Sequence, residues 1–71
     1  MPKLHTSEAI IKVLVRKGFV FVSQRGSHVK FRKRAGNGIL TVIVPADKKE
    51  IPHGTFHSIL RQSHLDSGDF K

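Results

Sequence analysis

The sequence predicts a small α+β fold in which a helix, three antiparallel strands and a second helix follow in that order. Three observations predict it. Apolar residues recur at helical spacing over residues 10–14 and again over 56–60, three β-branched or aromatic runs lie between those segments, and glycine marks the junctions between the runs. Two helices on one face of such a sheet would bury its apolar side and leave the other side to solvent.

Each element has a local reason. Thr6 or Ser7 can cap the first helix, with Glu8 set favourably against the helix dipole. Ile10, Val13 and Leu14 share a face, Lys12 and Arg16 lie elsewhere, and Gly18 follows Lys17 as a C-terminal cap. The run Phe19-Val20-Phe21-Val22 reads as the first strand, ending at Ser23 or Gln24, and Arg25-Gly26 turns it into a second strand, Ser27 to Lys33. Within the turn-rich segment from Lys33 to Gly38, Asn37-Gly38 is the hairpin signal. A third strand, Ile39 to Val44, stops at Pro45, which cannot donate to a ladder. Pro45 to Gly54 reads as a loop, and the second helix starts at Gly54 or Thr55 and carries Phe56, Ile59 and Leu60. Beyond Ser63 the pattern weakens: Leu65 and Phe70 could dock on the core, while Asp66-Ser67-Gly68-Asp69 either caps a further turn or frays. His5 reads as a disordered terminal residue.

The 71 residues leave room for one domain, 1–71, and a chain this short buries only about 60% of the surface it exposes when unfolded. Without cysteine, neither a disulfide nor a cysteine metal site can staple it, and no apolar run approaches the length of a membrane span. A cytoplasmic protein is expected. The net charge of +8 is unevenly placed: residues 1–34 hold nine Lys or Arg against Glu8, whereas residues 35–71 hold four of each sign. A localised basic field suits a polyanion, because neutralised phosphates release their counterions.

The stretch Gln24 to Phe31 combines these features. On a strand with a two-residue period, Val29 and Phe31 point one way and His28, Lys30 and Arg32 the other. Histidine serves as base and acid near neutral pH, and here it lies beside cations where a phosphodiester would dock. Gly26 permits the turn, Ser27 is a candidate phosphate ligand, and Arg25, Lys33 and Arg34 flank the site as positioning contacts. Lys48 and Lys49 read as a solvated loop. His53 and His57 stand four apart, but His53 precedes the expected helix start and no H-E-x-x-H pattern occurs, so no metal or other cofactor is expected.

Gly26-Ser27-His28-Val29-Lys30-Phe31 resembles the G-S-H-x-x-F signature of the HicA family of toxin ribonucleases. Ser7 to Phe19, with its Gly18-Phe19 exit, and Lys49-Glu50-Ile51 followed by Gly54-Thr55-Phe56 and Ile59-Leu60 resemble two further segments of that family. The likeness spans nearly the whole chain. Where the family often has a second histidine this chain has Val29, and the family often has a glycine near His64 and a helix former where Gly68 stands. The resemblance implies a fold like the double-stranded RNA-binding domain and an mRNA interferase of a type II toxin-antitoxin system. It also implies catalysis by His28 and a HicB-like antitoxin whose acidic surface covers the His28 face.

Under that reading His28 is the general base, Arg25, Gly26, Ser27, Lys30, Arg32, Lys33 and Arg34 contact RNA, and cleavage needs no metal. A non-catalytic double-stranded RNA-binding module shares the element order and charge, and a small DNA-binding or ribosome-associated protein is a third reading. Cleavage separates the first from the other two.

Overall fold

The computed structural model describes residues 4–71. Its elements are α1 (Ser7–Arg16), β1 (Val20–Arg25), β2 (His28–Ala35), β3 (Gly38–Pro45), α2 (His53–Ser63) and a 3₁₀ turn, Ser67–Phe70. The three strands form one antiparallel sheet in the order β1-β2-β3, which matches the helix, meander, helix order expected from sequence. Among the described residues no helix is long and apolar enough to cross a membrane.

The core lies between the helices and one face of the sheet. It is built from Ile10 and Leu14 of α1, Phe19, Val29 and Phe31 of β2, Val42 and Val44 of β3, Ile51, Phe56 and Ile59 of α2, and Phe70. No residue of β1 belongs to it. α1 ends in a Schellman arrangement: the Phe19 amide donates to the Leu14 carbonyl (2.9 Å) and the Gly18 amide to that of Val15 (3.0 Å). Gly18 takes φ +98°, which closes the helix and drops Phe19 into the core before β1 begins at Val20.

Four expectations need correction. The second hairpin turns on Gly36-Asn37, not Asn37-Gly38, because Gly36 supplies the positive φ (+57°) and Ala35 pairs with Gly38. Positive φ at the first loop position alone is the pattern of a type II′ turn, and Gly26 (+58°) repeats it in the first hairpin. α2 starts earlier than Gly54, at His53 behind Pro52, whose fixed φ (−58°) suits a helix start and whose carbonyl accepts from the Phe56 amide. His53 therefore lies on the helix with His57, both exposed. His5 is ordered and half-buried: its ring sits 4.7 Å from that of Phe56 and 6.1 Å from that of Phe70, and its carbonyl accepts from the Ile51 amide at 2.8 Å.

The C-terminus docks rather than frays. Asp66 and Asp69 form a reciprocal capping box around the 3₁₀ turn, and Phe70 is buried against Phe56, 5.3 Å between ring centres. α2 closes on His64, held at φ +59°, a region that favours glycine.

Thr6 is the helix cap, its hydroxyl accepting from the Ala9 amide at 3.0 Å. Ser7 has another role. Its buried hydroxyl donates to the Pro45 carbonyl (2.6 Å) and accepts from the Lys48 amide (2.9 Å), while its own amide donates to the Lys48 carbonyl (2.9 Å). This pins the end of β3 and the loop after it to the start of α1. Lys48 is thus fixed through its backbone while its side chain is exposed.

Two outcomes follow for stability. Ser7→Ala strands a carbonyl and an amide in a part-buried site and should cost about 1–3 kcal/mol in urea unfolding monitored by circular dichroism. The Asp69 carboxyl is held below its ordinary value by the Asp66 amide and by Lys17, 3.3 Å away. A depressed folded-state value adds stability above the ordinary carboxylate range, which is lost as pH falls below it. Acid titration followed by NMR should release Phe70 before the sheet, and Asp69→Asn should remove that pH dependence.

Candidate active site

Cross-strand pairing decides which side chains meet on the solvent face. On β2, Val29 and Phe31 are buried, whereas His28, Arg32 and Arg34 are exposed and Lys30 is half-buried, as the two-residue period requires. Partners of those outward residues share their face: Arg25, Ser23 and Val20 on β1, and Pro45, Ile43, Thr41 and Ile39 on β3. His28, Lys30, Arg32 and Arg34 thus form a file along the middle of the sheet, each step roughly 7 Å.

No acidic residue occurs between Phe19 and Ala46. The ion pairs among the described residues are Glu8 with Lys12 and Lys17 with Asp69, both on the helical side, so Arg25, Lys30, Arg32 and Arg34 are unpaired there. Unpaired cations two residues apart on one strand repel one another. An anion laid along them relieves that repulsion.

A hollow of about 520 Å³ opens on this face, lined by Ser23, Gln24, Arg25, His28, Lys30 and Ile43. His28 is the first residue of β2, paired with Arg25 on one side and Pro45 on the other. Its ring is exposed and makes no hydrogen bond with another described residue, so both nitrogens are open to a ligand. The turn beside it is braced: Gln24 donates its side-chain amide to the Gly26 carbonyl (3.1 Å), and the Ala46 amide donates to the Ser27 carbonyl (2.7 Å). Nothing lies within 4 Å of where a Cβ on Gly26 would be, so its positive φ rather than crowding calls for glycine there.

Of the residues singled out in the sequence, Arg25, His28 and Lys30 meet at the hollow, and Gly26 and Ser27 form the adjoining turn. Arg32 continues the file. Arg34 stands at its far end, roughly 20 Å from His28 along the strand. Lys33 does not join them: it faces the helices, with its ammonium 5.6 Å from the centre of the Phe19 ring. Ser23 and Ile43 also line the hollow. Ile43 is readable from alternation with buried Val42 and Val44, but Ser23 is not, because a bulge between Phe21 and Ser23 interrupts the period on β1. Among the described residues no group of three or more His, Asp or Glu is placed to hold a metal ion.

A family model described as the HicA toxin of bacterial toxin-antitoxin matches residues 7–65 of this chain. No curated protein gives a significant match.

The two faces predict opposite behaviour for neighbouring cations. A polyanion lying along the outward file should bind several-fold more weakly to Arg32→Ala, with its salt dependence lowered by about one counterion. Lys33→Ala should leave both within twofold while lowering the melting temperature, as fluorescence anisotropy and circular dichroism would show.

Proposed function

The chain belongs to the HicA toxin family of bacterial toxin-antitoxin systems, and from that premise we propose that it is an endoribonuclease acting on mRNA with His28 as its general base. The observation that carries this reading is the hollow, where an unencumbered imidazole sits among unpaired cations on a face without acids. The file Lys30, Arg32 and Arg34 gives successive phosphates a track leading to it.

In the reaction His28 takes the proton of a ribose 2′-hydroxyl. The 2′-oxygen attacks the adjacent phosphorus, the bond to the 5′-oxygen breaks, and that oxygen is protonated by the imidazolium or by water. A cyclic phosphate and a free 5′-hydroxyl result. Lys30 and Arg25, or the amides at Gly26 and Ser27, stabilise the charge that develops on phosphorus-bound oxygen. Positioned proton transfer contributes roughly 10²–10⁴ in rate and an aimed donor about 10²–10³. No carboxylate among the described residues orients the His28 ring, which fits a slow enzyme. Since the nucleophile belongs to the substrate, DNA should bind the same face uncut, and the chemistry requires no metal.

The family also implies an antitoxin partner. A basic, open site is silenced most directly by an acidic protein surface laid over His28.

The decisive experiment incubates the parent and His28→Ala with a long single-stranded RNA in excess EDTA. Fragments ending in cyclic phosphate are expected from the parent alone, with the variant retaining its fold and RNA affinity. Cutting by the variant would remove His28 from the mechanism, and intact RNA in both lanes would favour a binding module.

A further inference from the structure

β1 is the part of the molecule that the fold leaves uncovered. It is an outer strand, every one of its six residues is exposed, and Val20, Phe21 and Val22 are 62%, 60% and 38% exposed in succession. The other edge of the sheet is partly covered: Gln62 of α2 accepts from the Ile43 amide of β3 at 3.0 Å. Among the described residues no such bond reaches the outward backbone groups of β1. An apolar run beside free donors and acceptors is the kind of edge that proteins protect with charge or proline. Here a single bulge and the terminal Arg25 are its only guards.

We propose that β1 is the docking edge for the antitoxin, which adds an extended acidic segment to the sheet as a fourth strand. An antitoxin partner follows from the family alone, so the docking edge stands whether or not His28 cuts RNA.

The required chemistry can be read from both faces. Side chains of an added strand alternate between them. On the solvent face they would lie beside Ser23 and Arg25, one strand away from His28 and Lys30, where carboxylates meet unpaired cations. On the helical side they would meet Phe21, whose ring stands edge-on to Phe31 at 6.2 Å. They would then approach a groove of about 720 Å³ bordered by Gln24 and Val29, where Glu8, Lys12, Asp47, Lys48 and Lys49 predominate, so an apolar side chain fits at Phe21 and polar ones beyond it. A second copy of this chain does not fit: each carries +8, and pairing two β1 edges would bring both sets of Arg25, Lys30 and Arg32 onto one continuous face.

Strand addition would also regulate the site. Ser23, Gln24 and Arg25 form one wall of the His28 hollow, so a segment hydrogen-bonded to β1 is already at its rim.

The test compares the chain alone with its complex with the cognate antitoxin by hydrogen exchange, together with Phe21→Lys and Phe21→Thr variants in a binding titration without RNA. Slowed exchange of amides within Val20–Gln24 on complex formation, and at least tenfold weaker binding by Phe21→Lys, are expected. Cleavage by the free variants should match the parent, which separates loss of docking from loss of catalysis. Phe21→Thr keeps a strand former at the edge, so it reports on docking even if the lysine variant folds poorly. Unchanged exchange across β1 in the complex, parental affinity in both variants, or self-association of the free chain through β1 would overturn the assignment.

Discussion

β2 is hydrogen-bonded on both sides, and its side chains alternate between a core and a file of cations. Val29 and Phe31 fasten it to the helices, and that attachment holds His28, Lys30, Arg32 and Arg34 in a row on the opposite side. A slip of one residue would bury the cations and expose the core, so the register is strongly specified. Core and site are therefore two faces of one strand, and neither can be altered in register without the other.

Support for the site also arrives from a distance. The hydroxyl of Ser7, at the start of α1, holds the carbonyl of Pro45, the residue paired with His28. The next amide, on Ala46, returns to the Ser27 carbonyl in the turn before β2. The hollow is thus framed by backbone contacts between segments far apart in the chain, while the imidazole itself is left free. Such an arrangement positions the strand end and leaves the ring to be oriented by what binds there.

Alternation and end signals made most of the architecture legible in the sequence. Leu14, Gly18 and Phe19 announced the end of α1, and the Val29, Phe31 and Val42, Val44 pairs announced the buried face. The second hairpin was harder for a definite reason. Moving its turn from Asn37-Gly38 to Gly36-Asn37 shifts the pairing by two residues, which preserves every inward and outward side chain. Burial pattern alone is blind to that change. Lys33 shows the converse: its odd position placed it with Val29 and Phe31, but its place in a run of charges grouped it with the site. His5 and Phe70 depend on packing between the two ends of the chain, which no local window contains.

Because β1 contributes no buried residue, its attachment to the rest of the protein is mainly the ladder it shares with β2. Opening that ladder breaks the Phe21–Phe31 contact but removes no residue from the core, so its free-energy cost lies below that of global unfolding. The core residues lie on β2, β3, the helices and the segments beside them, with none on β1. As temperature rises, the wall formed by Ser23, Gln24 and Arg25 would then dissolve first, leaving a folded protein without a formed hollow. A partner bound along β1 would raise the threshold for that local melting, making the silenced state the more heat-resistant one.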